Sequence, residues 1–162
     1  MSKVKNVEQR NTIRIAIVGK VSCGKSTLLN GIFVKQYADM KMKRTTMLPF
    51  LYQETSDDIK KDLSTDSIYK DNVELNNKII SNEISLTNEN CKEISYLVPK
   101  IKNFINLPEN VYLDIYDIPG LDDANTADIY FKWVKENFNK FDIIIHVVDI
   151  NSALNTEGEI KI

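Results

Sequence analysis

Cysteine and histidine are nearly absent from this chain of 162 residues, which has two of the first and one of the second. Cys23 and Cys91 stand in no metal-ligand spacing and are too few for a disulfide framework. Net charge is also missing: 21 basic residues face 23 acidic ones, a formal −2. No whole-protein field would draw in nucleic acid or an anionic membrane, so neither is expected as a partner. Long apolar runs are lacking too, and Ile143 to Val148 is far too short to span a bilayer. The first residues, Met1 to Lys5, are polar, with no apolar stretch of a signal peptide behind them. Ser2 occupies the position where myristoylation needs a glycine. A cytoplasmic protein is the expectation, and a cysteine inside a loop built for phosphate suits a reducing compartment.

What is present is an alternation of apolar strands with amphipathic segments. Ile13 to Val18 turns from alternating to continuously apolar, the pattern of a strand buried on both faces. Gly19 breaks it, and Lys25 to Phe33 places Leu28, Leu29, Ile32 and Phe33 at helical spacing. A polar, basic loop follows over 34–46, then a predicted strand over Met47 to Tyr52, which Pro49 confines to an edge or to first residues. Residues 56–99 turn to Asp, Asn, Lys, Ser and Glu and read as an inserted, mostly helical surface segment. Val111 to Tyr116 alternates as a strand. Ala127 to Phe138 sets Ile129, Tyr130, Trp133, Val134 and Phe138 on one helical face, and Ile143 to Val148 reads as a buried strand containing His146 as a core residue. Strands separated by helices predict an α/β fold with a mostly parallel, doubly wound sheet.

Gly19-Lys20-Val21-Ser22-Cys23-Gly24-Lys25-Ser26 fits the Gly-x-x-x-x-Gly-Lys-Ser phosphate loop, with a buried strand before it and a helix behind it. Backbone N–H groups of residues 20 to 26, with the dipole of the helix, would wrap phosphates. The Lys25 ammonium would lie between β- and γ-phosphates, and the Ser26 hydroxyl would ligate Mg²⁺. Asp117-Ile118-Pro119-Gly120 ends another strand. An Asp there can hold Mg²⁺ through a water, and the N–H of Gly120 can approach the γ-phosphate. By itself Asp-x-Pro-Gly is a good turn sequence; the upstream phosphate loop makes it a phosphate sensor. Thr45 or Thr46, with the lean to Thr46, can place a hydroxyl on Mg²⁺ from the intervening loop, while Arg44 reads as a solvated arginine. Asn139-Lys140-Phe141-Asp142 matches the guanine-reading Asn-Lys-x-Asp, but it precedes a strand instead of following one. It reads as a decoy whose Asp142 turns the chain into the sheet.

Taken together, Gly24-Lys25-Ser26-Thr27-Leu28-Leu29-Asn30, a threonine in a basic loop and Asp117-Ile118-Pro119-Gly120-Leu121 resemble the dynamin-like GTPases. Ser22 stands where that family commonly keeps a serine, and Phe141 to Asp149 is similar to its fourth strand. The resemblance covers 12–55 and 105–155. It implies a P-loop NTPase three-layer fold, GTP as substrate and GDP as product, Mg²⁺ as cofactor, and self-association through the G domain. Gly19 to Thr27, Asp117 and Gly120 would contact nucleotide. Ser26, Thr46 and Asp117 would hold the metal, and Ser22, Lys25 and Thr46 would act in hydrolysis. Val21 departs from the family's usual glutamine, which bears on how water is positioned. On this reading residues 1–11 are a polar extension and 12–162 an incomplete G domain, truncated after the fourth strand, a fragment or a degenerate copy. The alternative from another class is a non-catalytic nucleotide-binding or interaction module derived from a GTPase. A transporter-type ATPase would need a Leu-Ser-Gly-Gly-Gln-like signature and a strand ending in Asp-Glu, and neither occurs.

Overall fold

A computed structural model describes residues 11–40, 45–55, 65–100 and 107–150. Arg44, most of the N-terminal extension, residues 56–64 of the expected insert and the last twelve residues lie outside them. The described residues form β1 (Asn11–Gly19), α1 (Lys25–Phe33), β2 (Phe50–Thr55), α2 (Thr65–Ile80), β3 (Ile94–Pro99), β4 (Val111–Asp117), α3 (Ala127–Asn137) and β5 (Ile143–Val147), with a 3-10 turn at Phe138–Lys140. The strands make one mixed sheet in the order β3-β2-β4-β1-β5. The pairs β1–β4, β1–β5 and β2–β3 are parallel, and β2–β4 is antiparallel.

Both faces of the sheet are covered, and the period-two alternation of β1 shows why. Ile15 and Ile17 enter a core with Leu29, Ile32 and Phe33 of α1 and Ile68 and Ile79 of α2. Ala16 and Val18 enter a second core with Tyr116, Ile118, Leu121, and Tyr130 and Trp133 of α3. A strand apolar at every position is what such a three-layer arrangement requires. The first core is rich in aromatics: Phe33 meets Tyr37 edge-on with ring centres 5.3 Å apart, and Tyr52 packs between Tyr37 and Tyr96.

The antiparallel pairing of β2 with β4 decides where the polar loops meet. Phe50, the first residue of β2, sits opposite Asp117, the last of β4. The loop entering β2 therefore arrives at the same sheet end as the loops leaving β1 and β4.

Several expectations need correction. The strand expected at 47–52 runs Phe50–Thr55 inside the sheet, with Pro49 just before its first residue, close to the second of the two placements expected for the proline. Segment 56–99 contains the helix α2 but also β3, whose Ile94, Tyr96 and Val98 face inward while Leu97 is exposed. β5 is an edge strand with Ile143 and Ile144 exposed, not a buried one, and His146 is only half-buried. Phe138 leaves the apolar face of α3 at the 3-10 turn and is 55% exposed. Asp142 donates its N–H to the Arg14 carbonyl, and its carboxylate accepts the Arg14 N–H at 2.7 Å. The Asn-Lys-x-Asp match thus lies at the start of β5 beside Arg14, away from the phosphate loop.

α1 ends with Val34 in the left-handed region, φ 52 and ψ 30, its N–H bonded to the Asn30 and Gly31 carbonyls. A β-branched residue is strained there, and Val34 is 73% exposed, so little burial repays the strain. Val34→Gly should stabilise the chain by about 1 kcal/mol in urea denaturation. An unchanged or lowered midpoint would show the strain to be absent.

Candidate functional site

The loop between β1 and α1 is shaped by residues that leave the ordinary backbone regions. Gly24 has φ +102 and no protein atom within 4 Å of where a Cβ would be, so backbone conformation and not crowding by protein demands glycine. Ser22 has φ 62 and an exposed side chain. α1 starts directly at Lys25 with no side-chain cap on its first N–H groups, which leaves an electropositive helix end facing the loop. Thr27 is exposed on the first turn of that helix. The Lys25 side chain is buried, and its ammonium donates to the Gly19 carbonyl at 3.2 Å and to the Lys20 carbonyl. Burial raises the Cys23 pKa, with the Lys25 charge pulling the other way, so the thiol form is favoured and no nucleophile is made.

Asp117 is the electrostatic centre. It is fully buried, and its Oδ2 accepts hydrogen bonds from Ser26 Oγ at 3.1 Å and Thr46 Oγ1 at 3.4 Å. The two hydroxyls are themselves 3.3 Å apart. Asp117 Oδ1 is buried without a hydrogen-bond partner among the described residues. Burial pushes the Asp117 pKa up to about 6, opposed by the Lys25 charge and the two hydroxyl bonds. Thr45 goes elsewhere: its hydroxyl donates to the Asp39 carbonyl. Of the two threonines, Thr46 is the one brought to Ser26 and Asp117.

The loop after β4 is locked against the phosphate loop. A Cβ on Gly120 would lie 2.4 Å from Val21 Cγ2 and 2.5 Å from the Val21 nitrogen, so no side chain fits there. Ile118 and Leu121 donate N–H groups to the Ile17 and Gly19 carbonyls, and Val21 donates to Asp122 Oδ1 at 2.7 Å. Asp122 was missed in the sequence, where nothing in its spacing distinguishes it from an acidic residue after a turn. Asn30 was missed as well. Its Oδ1 accepts the N–H groups of Tyr37 and Ala38, and its Nδ2 donates to the Ala38 carbonyl, so it shapes the start of the loop that carries Thr46.

One carboxylate with an orphaned oxygen and two convergent hydroxyls form a donor set of hard oxygens. Among the described residues no group of three or more His, Cys, Asp or Glu side chains could hold a metal by itself. The set fits Mg²⁺, which characteristically takes one or two protein oxygens and completes its shell with substrate phosphates and water.

The raised Asp117 pKa has a consequence for stability without metal or nucleotide. A folded-state value above the ordinary 3.8 gives stability that is present below about pH 4 and is lost as pH rises through about 6. In the absence of Mg²⁺ and nucleotide, Asp117→Asn should gain on the parent by up to about 3 kcal/mol between pH 4 and 7, read by urea denaturation. A difference that stays flat across that range would refute the burial of an unpaired carboxylate.

The sequence profile described as the dynamin family matches residues 15–162. An uncharacterised protein of Acanthamoeba polyphaga mimivirus is 29% identical over 158 aligned residues, covering 91% of this chain and 25% of the viral protein. The chain thus spans about a quarter of the length of that curated relative. The five-stranded mixed sheet with a strand–phosphate loop–helix unit is the architecture of an α/β P-loop NTPase domain. With the profile matching nearly the whole chain and the loops after β1 and β4 carried at one end of the sheet, this chain belongs to the dynamin family.

Proposed function

We propose that the chain binds GTP with Mg²⁺ and hydrolyses it to GDP and phosphate. The observation that carries this reading is the meeting of Ser26, Thr46 and Asp117 from three separate segments, with Asp117 Oδ1 left for a ligand. In this reading the N–H groups of residues 20 to 26 and the start of α1 receive the phosphates. Lys25 exchanges its carbonyl partners Gly19 and Lys20 for phosphate oxygens. Ser26 and Thr46 give hydroxyl oxygens to the metal, and Asp117 holds it directly or through water. Bound Mg²⁺ would supply charge neutralisation between the β- and γ-phosphates. The Gly120 N–H, from the loop packed against the phosphate loop, and the Ser22 hydroxyl within it would be further donors.

Guanine as the base rests on family membership, since the Asn139 to Asp142 match is held against Arg14. Self-association through the domain and a cytoplasmic working place belong to the same proposal. No helix among the described residues is long and apolar enough to cross a membrane. A second reading, a module that binds nucleotide without hydrolysing it, is favoured by one observation. Val21 turns an apolar side chain toward Gly120 and has no group to orient a water.

Calorimetry with GTP, GDP and ATP, with and without Mg²⁺, tests the proposal. Lys25→Ala should weaken GTP binding by at least about 100-fold, and Mg²⁺ should strengthen GTP binding by the parent. Parent affinity for Mg²⁺-GTP weaker than about 1 mM would sink both readings. Tight binding with turnover below the order of 10⁻⁴ s⁻¹, the intrinsic scale of switch GTPases, would select the binding module.

A further inference from the structure

Thr46 bonds Ser26 and Asp117 only through its side chain, at 3.3 and 3.4 Å, distances too long to fix a loop by themselves. What holds it is the next residue. The Met47 N–H donates to Asn76 Oδ1 at 2.7 Å, and the Met47 carbonyl accepts the Tyr130 hydroxyl at 2.8 Å; both bonds are buried. Asn76 belongs to α2, whose Ile68 and Ile79 pack in the first core, and Tyr130 belongs to α3 in the second. The peptide on either side of Met47 is therefore gripped by helices from opposite faces of the sheet.

The grip on the α2 side is part of a longer ladder. A backbone N–H can only donate, so Asn76 must turn its oxygen to Met47 and its NH₂ away. That NH₂ donates to Asn72 Oδ1 at 2.7 Å, and the Asn72 NH₂ donates to the Tyr52 hydroxyl at 2.8 Å. Asn72 and Asn76 are each 2% exposed, a placement that would be costly for unpaired amides. Flipping Asn76 alone would break its bonds to both Met47 and Asn72, and flipping Asn72 alone would break its bond to Asn76, so the Met47 N–H fixes the orientation of both amides. The ladder spans from the middle of β2, across α2, to the residue beside Thr46.

We propose that Asn76 and Tyr130 are positioning residues for Thr46. By clamping Met47 they hold the Thr46 hydroxyl over Asp117, and α2 becomes the element that sets how the site distinguishes triphosphate from diphosphate. This inference rests on the metal-binding role proposed for Thr46. The clamp itself does not.

Two measurements on the purified chain separate the levels. Tyr130→Phe removes a single hydroxyl and keeps the ring in its core; Asn76→Ala removes the other hold; Ile13→Val, in β1 toward the sheet end opposite Phe50 and Asp117, serves as the packing control. In nucleotide-free protein, hydrogen exchange at the Met47 amide should quicken about tenfold in Asn76→Ala relative to the amides of β2. It should quicken measurably in Tyr130→Phe and remain unchanged in Ile13→Val. Exchange at Met47 that tracks β2 in every variant would overturn the clamp. The ratio of Mg²⁺-GTP to Mg²⁺-GDP affinity should fall about fivefold in Tyr130→Phe and in Asn76→Ala, the effect of about one net hydrogen bond. Thr46→Ala should lower it as well, and adding Tyr130→Phe to Thr46→Ala should lower it no further. A ratio that falls in Thr46→Ala and stays at the parent value in both clamp variants would refute positioning. If Asn76→Ala fails to fold, Tyr130→Phe decides alone. A parent that binds no Mg²⁺-GTP would remove the proposed function, and the exchange result would still judge the clamp.

Discussion

A carboxylate removed from water at the end of β4 is the constraint around which the loops of this domain are arranged. Among the described residues no cation is bonded to Asp117; its charge is moderated by the Lys25 ammonium and by hydroxyls from α1 and from the loop before β2. Lys25 with Ser26, Thr46, and Asp117 itself lie on three different stretches of chain, so the three stretches must converge. The sheet order makes the convergence: β1 and β4 are parallel neighbours, and β2 runs the other way beside β4. Had β2 paired in parallel, its entering loop would lie at the far end of the sheet. The topology is thus tied to the chemistry through the direction of one strand.

The parts of this architecture that could be read in the sequence are those where a local pattern has one physical meaning. β1, the glycine-bounded loop and α1 form such a case, because a strand continuously apolar over Ile15 to Val18, a turn with glycines at both ends and helical spacing each exclude other structures. β4 with Asp117 to Gly120 and α3 were legible for the same reason. β3 was not, since exposed Leu97 interrupts the alternation of Ile94, Tyr96 and Val98 and the polar residues before it dominate the window. Nor were the buried amides of α2. An asparagine satisfied inside a core and one solvated on a surface are the same letter, and only tertiary packing separates them. The start of β2 slipped by three residues because Met47 and Leu48 are apolar for a loop's sake: both are buried beneath the helices.

The two cores also divide the labour among the helices. α3 is amphipathic in the ordinary sense and buries Tyr130 and Trp133, while α1 buries Lys25 and Asn30 beside Leu29, Ile32 and Phe33. α2 buries two asparagines along with two isoleucines, so its seat depends on hydrogen-bond geometry as much as on apolar area. An apolar face tolerates sliding, whereas an amide ladder tolerates none, and the residue next to Thr46 is attached to the ladder.

The contact between Gly120 and Val21 links the loops after β1 and β4 by exclusion of volume, beside the hydrogen bond that Asp122 makes. Excluded volume has no charge to screen and no proton to lose. A displacement of either loop would therefore be transmitted to the other with equal force in concentrated salt and in dilute buffer, and at acid or neutral pH.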